Sequence, residues 1–290
     1  MKFTLTADSC IDELKENIKN EHVNVIPMTF IAGDETFKDD FSFEEQYKQF
    51  YEKISSGIVF KTASLNAVEV EEFFTKLLKE EKDIIHVSLS SGLSVTYNVV
   101  KSVANRLNET NKNKIYIVDS LSATQGQNLL LKIANECRKQ DMHAHEALKK
   151  IKWAVLHLSV TFFVTDFDCL KRGGRVSGVQ ALIGRFASIR PVLDFDVNGK
   201  LRVISKVIGN KKALLTLSEN LEKYDVESET PIFIAHTGNN DVASELENIT
   251  RTMYPQTEII KRYIGPTIGA HTGAGALGLV FLQKGERVWV

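Results

Sequence analysis

Residues 83–97 constrain the fold of this chain more than any other stretch. Most of residues 84–89 are β-branched or apolar, which is typical of a strand buried inside a parallel sheet. A serine- and glycine-rich segment of residues 90–94, called the serine turn below, follows directly. From Val95 onward, apolar residues recur at helical spacing. A strand that runs through a tight turn into a helix predicts an α/β protein with this turn at the carboxyl edge of the sheet.

The serine turn is also a candidate anion site. Its backbone N–H groups would converge at the start of a helix, where the helix dipole adds positive potential. Ser91, Gly92 and Ser94 are therefore predicted ligand-binding residues, able to hold an oxyanion without lysine or arginine. The alternative is that the serines only cap the helix.

Two further strands are predicted with the same kind of ending. Residues 3–7 run into Asp8 and Ser9, and residues 115–118 run into Asp119 and Ser120. Each is followed by a helical pattern, so the N-terminal part is predicted to be a doubly wound parallel sheet. Its polar turns would meet at one edge, where such sheets bind ligands.

The pattern changes near residue 150. Asn198 and Gly199 separate two apolar runs, a strong signal for a β-hairpin. Helical and strand patterns alternate after it. We therefore predict two α/β domains, residues 1–150 and residues 151–290, the second with a mixed or antiparallel sheet.

Composition excludes several classes of function. The chain has 290 residues, 36 of them basic and 37 acidic, for a net charge of −1, which disfavours broad nucleic-acid or membrane-surface binding. The three cysteines are far apart and form no Cys-x-x-Cys pair, so neither disulfides nor a zinc site are expected. The first residues contain too short an apolar run for a signal peptide, and a cytoplasmic location is expected.

Other motifs carry little weight. Residues 273–278 fit the dinucleotide pattern G-x-G-x-x-G, but the helix, second strand and acidic residue that this fold requires do not follow. The same glycine-rich segment contains His271, whose role is either structural or ligand-binding. His143 and His145 lack the partners of a metal site, and no cofactor is expected. The basic residues 171–175 fit a partner-binding patch or a solvated helix end.

Taken together, short motifs along nearly the whole chain resemble those of the DegV family of bacterial fatty-acid-binding proteins. They occur in the family's order: Ala7-Asp-Ser-Cys10, Lys61-Thr-Ala63, Leu89-Ser-Ser-Gly-Leu-Ser94 with Thr96-Tyr97, Val118-Asp-Ser120, Leu170-Lys-Arg-Gly-Gly-Arg-Val176, Ile189-Arg-Pro-Val-Leu193, Lys206-Val207 before Lys211-Lys-Ala213, and Gly265-Pro-Thr-Ile-Gly-Ala-His-Thr-Gly273.

The resemblance implies two α/β domains with a fatty acid in a tunnel between them. It implies that Thr62 and Ser94 hold the carboxylate, with His271 close by, and that the protein is not itself an enzyme. The bound lipid would be presented to a separate fatty acid kinase, which forms the acyl phosphate. Transient contact with a membrane is also compatible with such a role.

The resemblance further implies a kinase-binding patch formed by Arg172, Arg175 and Lys206. Two departures bear on it. The family's Thr-Ser-Gln-Pro is Thr62-Ala-Ser-Leu65 here, which keeps the threonine, and Ile208 replaces an arginine that the family carries next to its Lys-Val pair. The second change removes a cation, so kinase coupling is less firmly implied than lipid binding.

Two alternatives from other classes stay open. Ser94 and His271 would serve as nucleophile and base in a lipid hydrolase or transferase, although the sequence nominates no third residue to orient the histidine. A protein–protein adaptor acting through residues 171–175 is the other.

Overall fold

The computed structural model describes residues 1–175, 188–227, 229–238 and 240–287. Thirteen strands are described there: β1 Phe3–Asp8, β2 Asn24–Ile26, β3 Thr29–Ala32, β4 Glu35–Lys38, β5 Phe60–Ala63, β6 Asp83–Ser88, β7 Ile115–Asp119, β8 Leu158–Phe163, β9 Ile189–Phe195, β10 Leu201–Ile208, β11 Ile232–His236, β12 Ile259–Tyr263 and β13 Leu277–Leu282. The α-helices in these ranges are α1 Lys15–Asn20, α2 Glu44–Ser55, α3 Ala67–Leu78, α4 Thr96–Thr110, α5 Gln125–Lys139, α6 Ala144–His157, α7 Phe167–Gly173, α8 Gly209–Lys223, α9 Asn240–Met253 and α10 Pro266–Thr272.

The N-terminal sheet is parallel, with the strand order β2-β1-β6-β7. Strand β6 lies between two parallel neighbours, and Ile84, Ile85 and Val87 in it are fully buried, which explains its mostly apolar sequence. The predicted parallel α/β architecture is confirmed. The carboxyl ends of β1, β6 and β7 place Asp8, the serine turn and Asp119 at one edge.

A small antiparallel sheet of order β4-β3-β5 was not predicted. The sequence has one apolar run over residues 23–31, but Pro27 divides it between β2 and β3, which belong to different sheets. Thr62, in the polar segment of residues 61–66, lies inside β5 and pairs with Phe30 of β3. These strands are too short to show a clear alternation of apolar and polar residues, so the polar residues around them dominate the sequence pattern.

The second sheet has six strands in the order β10-β9-β8-β13-β11-β12. Neighbours are antiparallel except for β11 and β12, so the predicted mixed sheet is confirmed. The predicted hairpin joins β9 and β10, with Gly199 at φ +67°. Residue 150, the predicted domain boundary, lies inside α6, which leads directly into β8. The boundary itself stays a prediction.

The two faces of this six-stranded sheet pack against different layers. Phe163, Ile234 and Leu279 belong to a core shared with α8 and α9. Alternate residues such as Val160 and Val280 point to the other face and join the core of the N-terminal domain. The space between the domains is thus apolar on both sides. No helix in the described residues is long and apolar enough to cross a membrane.

Candidate ligand-binding site

A cavity lies between the N-terminal domain and the inner face of the six-stranded sheet; the space inside it is about 900 Å³ when the solvent at its open mouth is included. Most of its wall is apolar, including Phe162, Phe195, Leu201, Ile264 and Val280. The sheet supplies the floor because every second residue of β8, β11 and β13 faces it.

The polar part of the wall brings together residues from both domains. Thr62 of β5 and His271 of α10 are joined by a hydrogen bond of 2.8 Å between Thr62 Oγ1 and His271 Nε2. Ser94 and Arg175 also line the cavity. Arg175 Nε donates to the carbonyl of Leu93, which places the arginine beside the serine turn. Thr62 and Ser94, which the resemblance implied hold the carboxylate, and His271, which it placed close by, therefore line one cavity.

His271 is neutral in this environment. Burial, together with the positive charge of Arg175, lowers the pKa of His271 from 6.5 to about 4. Among the described residues, its buried Nδ1 has no hydrogen-bond partner, and it packs against Gly173, where any Cβ would lie 2.1 Å from that nitrogen. Only glycine at this position lets the ring approach α7 so closely.

The unpartnered nitrogen fixes the direction of the Thr62–His271 bond. If Thr62 donated its proton, Nδ1 would carry a buried N–H with no acceptor, which costs more than an empty acceptor. We therefore assign the imidazole proton to Nε2, which donates to Thr62 Oγ1. The hydroxyl proton of Thr62 is then available to a ligand.

The hydrogen-bonding groups of the serine turn are bonded to other groups of the protein. Ser91 N donates to Asp119 Oδ1, and Gly92 N donates to Ser90 Oγ. The backbone N–H groups of Leu93 and Ser94 both reach the carbonyl of Ser90. Ser90 Oγ in turn donates to the carbonyl of Gly199 at 2.7 Å, tying the turn to the β9–β10 hairpin. These bonds occupy the N–H groups that the sequence suggested for an anion.

Of the three predicted residues in the turn, Ser94 lines the cavity, whereas Ser91 and Gly92 do not. Gly92 instead packs against the hairpin, where a Cβ would lie 2.4 Å from the carbonyl oxygen of Asn198. Ser94 Oγ bonds Thr96 Oγ1 at 3.0 Å and accepts from Thr96 N at 3.2 Å. Ser94 therefore caps α4 as well as facing the cavity, so the two readings of this serine are compatible.

The predicted partner-binding residues are all exposed but differ in setting. Arg172 is on α7 and contacts Cys169 Sγ at 2.9 Å. Arg175 follows α7 and also lines the cavity. Lys206 lies on β10, where Ile208 is 73% exposed. Val176 of the matching motif lies outside the described residues.

Sequence reasoning missed a group of buried carboxyls at the start of α10. Asp39 Oδ2 accepts from both Thr267 N and Thr267 Oγ1, and burial raises the pKa of Asp39 to about 7. Asp12 is 3% exposed, and burial raises its pKa, aided by the charge of Asp39 and opposed by a hydrogen bond with the backbone of Gly265. A side chain at Gly265 would collide with Asp12 Oδ1. These contacts position the helix that carries His271.

Asp8, which the sequence placed at the sheet edge, has a structural role. Its carboxylate accepts from Leu89 N at 2.7 Å and from Gln127 Nε2 at 3.0 Å, joining β1 to β6 and α5. Among the described residues, no group of three or more histidine, cysteine or acidic side chains is arranged to hold a metal ion.

The fold and site define a two-domain α/β protein with an apolar cavity that has a hydrogen-bonding end. The DegV family model matches residues 2–284, and the chain belongs to that family. A DegV domain-containing protein of Clostridium perfringens is 34% identical over 97% of both chains.

Solved structures share the fold over almost the full length. A DegV lipid-binding protein from Thermotoga maritima has a TM-score of 0.84 and 27% identity, covering 99% of this chain and 100% of that chain. DegV from Bacillus subtilis, a fatty-acid-binding protein, has a TM-score of 0.84 and 26% identity, covering 98% and 100%.

Proposed function

We propose that this protein binds a long-chain fatty acid without transforming it. The acyl tail would occupy the cavity, and the carboxylate would lie at Thr62 and Ser94 with His271 behind Thr62. The observation that carries the proposal is an apolar cavity whose wall includes the part-buried hydroxyl of Thr62, held in place by His271. The Thermotoga maritima and Bacillus subtilis relatives, which bind lipid and fatty acid, support it.

The energetics suit a site without a dedicated buried cation. Burying the tail of palmitate at about 0.8 kcal/mol per methylene contributes on the order of 11 kcal/mol before the costs of binding. One hydrogen bond to a charged carboxylate contributes only about 1.5–3 kcal/mol. The tail therefore determines most of the affinity, and the polar end determines which way the lipid points.

Thr62 and Ser94 contribute differently to this end. Thr62 already has an oriented oxygen, because His271 donates to it, and its hydroxyl makes no other hydrogen bond within the part of the chain that the structure describes. Ser94 would have to exchange its bond to Thr96 for one to the carboxylate. Thr62 is therefore the primary donor and Ser94 the secondary one.

The direct test is mass spectrometry of an organic extract from the purified, denatured protein. We expect one or a few long-chain fatty acids at close to one per chain. A protein that carries no fatty acid, and binds none when palmitate is titrated in, would contradict the proposal.

We further propose that the loaded protein presents its lipid to a fatty acid kinase through Arg172, Arg175 and Lys206. Arg175 lines the cavity mouth, so it is the residue placed to sense the head group and a partner together. Lys206→Ala should lower phosphoryl transfer to the bound lipid and leave the lipid content unchanged. Arg175→Ala should lower transfer too, and if it also empties the protein of lipid, Arg175 belongs to the binding site instead.

One observation also fits the alternative function of a hydrolase or transferase. Thr62 Oγ1 and His271 Nε2 are 2.8 Å apart, which is the distance of a nucleophile–base pair. However, the assigned tautomer carries its proton on Nε2, so the histidine would need the other tautomer to act as a base. Among the described residues, His271 Nδ1 has no partner to orient it, and Ser94 Oγ bonds Thr96 rather than the histidine. Release of a chromogenic alcohol from a fatty acyl ester, abolished by His271→Ala, would favour this alternative.

A further inference from the structure

The cavity wall contains a threonine whose hydroxyl is not used by the fold. Thr124 lies at the N-cap of α5, lines the cavity and is 9% exposed. Its side chain makes no capping bond to α5, and its hydroxyl makes no other hydrogen bond within the described part of the chain. The hydroxyl oxygen is not sealed in the core as His86 Nε2 is, so it keeps contact with open space. Since the cavity is the open space that Thr124 lines, we place the hydroxyl in the cavity.

The backbone of Thr124 is in a conformation that threonine disfavours. Its φ is +52° and its ψ is −130°, in the left-handed half of φ space, where a β-branched residue is strained. A threonine at an N-cap normally has an extended backbone and accepts a hydrogen bond from the first turn of the helix. Thr124 does neither. Its side chain therefore stabilises neither its own backbone nor α5, which favours a role in binding.

The start of α5 covers the apolar floor of the cavity. Gly126, two positions after Thr124, packs on β8, where a Cβ on the glycine would lie 3.0 Å from Val160 Cγ2. On the same strand, Phe162 lies between Val160 and the strand end that leads to α7, the helix against which His271 packs. Thr124 is thus associated with the floor at Val160 rather than with the strand end on the α7 side.

The helix start also adds positive potential beside this hydroxyl. Helix α5 has 15 residues, and its first turn contains no acidic side chain to offset the dipole. An oxygen atom of a ligand suits this environment, because it carries partial negative charge and accepts the hydroxyl proton. A methylene group at the same place would leave the hydroxyl of Thr124 buried without a partner, which is unfavourable.

We propose that Thr124 recognises an oxygen atom on the acyl chain, so that hydroxylated long-chain fatty acids are a preferred ligand class of this cavity. The inference rests on the proposed fatty-acid-binding function. The carboxylate stays at Thr62, and the hydroxyl of Thr124 donates to the hydroxyl oxygen of the chain. Thr124 is then a specificity-determining residue in the apolar part of the wall.

Thr124→Val tests this proposal, because valine keeps the branched shape of the side chain and removes only the hydroxyl. Affinities are measured for stearate and for a series of monohydroxystearates that differ in the position of the hydroxyl. For the isomer that wild type prefers most over stearate, we expect Thr124→Val to lower that preference about fivefold, which corresponds to about 1 kcal/mol. Stearate itself should bind to the variant at least as tightly as to wild type, because no unpaired hydroxyl is left under the chain.

Two further variants serve as controls. Thr124→Ser keeps a hydroxyl at the same position and should keep the preference. Thr216→Val removes a hydroxyl on α8 that donates to the carbonyl of Lys212, in the layer on the other face of the sheet, and should change neither affinity.

The outcomes separate this proposal from the proposed function on which it rests. Wild-type protein that binds neither stearate nor any hydroxystearate contradicts the proposed function itself. Wild-type protein that binds stearate, together with a Thr124→Val variant whose preferences are unchanged for every isomer, overturns the role of Thr124 alone. A parallel loss of stearate and hydroxystearate affinity counts as such an unchanged preference, since it would place Thr124 at the head group or in the fold.

Thr124→Gly covers the case in which valine prevents folding. Glycine accepts a φ of +52° without strain and also lacks the hydroxyl. The preference for the hydroxylated chain should fall as it does in Thr124→Val. A folded Thr124→Gly protein with the wild-type preference would likewise overturn the proposal.

Discussion

The serine turn and α10 face the same cavity from different domains, and they differ in how their hydrogen-bonding groups are used. In the turn, the N–H groups of Ser91, Gly92 and Ser94 are bonded within the protein. At the α10 side, by contrast, Thr62 Oγ1 accepts a hydrogen bond from His271 Nε2 and keeps its own proton for a ligand. The turn is richer in polar residues, yet the α10 side offers the hydroxyl donor that a carboxylate needs, since a carboxylate only accepts hydrogen bonds.

The largest expected effect concerns Asp39, which holds the start of α10. Because the pKa of Asp39 is raised from 3.8 to about 7 in the folded protein, the stability due to its protonated form is complete below pH 3.8 and is lost as the pH rises through 7. Relative to wild type, Asp39→Asn should therefore gain roughly 2–3 kcal/mol between pH 5 and pH 8.

Urea unfolding at the two pH values measures this gain. Asp40→Asn is the matched control, since Asp40 is the next residue in the chain and its side chain is exposed. If Asp39→Asn gains no more unfolding free energy than Asp40→Asn, ionisation of the buried Asp39 carboxyl does not destabilise the start of α10.

The next effect is on ligand affinity at Thr62. Thr62→Val keeps the shape of the side chain but removes the donor, so fatty-acid affinity should fall by about tenfold to a hundredfold, or about 1.5–3 kcal/mol. Thr62→Ser, which keeps the hydroxyl, should bind much more like wild type. Equal binding by Thr62→Val and wild type would remove Thr62 from the head-group site.

Ser90→Ala should affect stability rather than binding. The change leaves the carbonyl of Gly199 in the hairpin without its 2.7 Å donor, which should cost about 1–3 kcal/mol of unfolding free energy. Ser91→Ala retains the bond from Ser91 N to Asp119 and serves as the control for denaturant unfolding. A larger loss for Ser91→Ala than for Ser90→Ala would be inconsistent with an internally bonded turn.

The smallest expected effect is at Ser94. Because its hydroxyl caps α4, Ser94→Ala should lower stability by about 0.5–1 kcal/mol. Fatty-acid affinity should fall by no more than about threefold, less than for Thr62→Val. If Ser94→Ala lost more fatty-acid affinity than Thr62→Val, Ser94 rather than Thr62 would be the primary donor.

Much of the fold follows from local sequence patterns. The apolar residues of β6 and the Asp-Ser endings of β1 and β7 indicated a parallel sheet with one polar edge, and the Asn198–Gly199 signal located the β9–β10 hairpin. The three-stranded sheet was missed because its strands are short and because Pro27 divides the apolar run of residues 23–31 between β2 and β3. Local patterns do not show which sheet a short strand joins.

The site was predictable only in part. Family resemblance suggested Thr62, Ser94 and His271, but no periodicity connects Thr62 to His271, which are 209 positions apart in the chain. Likewise, the partner of Ser90 is on a hairpin 109 positions away, so the sequence could not show that the turn's groups are already used. Which hydrogen-bonding groups are already paired can be seen only in the tertiary structure.

The most direct test compares palmitate with hexadecanol, which has the same tail and no carboxylate, on wild type and Thr62→Val. If Thr62 donates to the carboxylate, wild type should prefer palmitate, and Thr62→Val should reduce that preference by about tenfold or more. Hexadecanol affinity should change far less, because the tail contacts are intact. A preference for palmitate that survives unchanged in Thr62→Val would contradict a head group held at the Thr62–His271 end of the cavity.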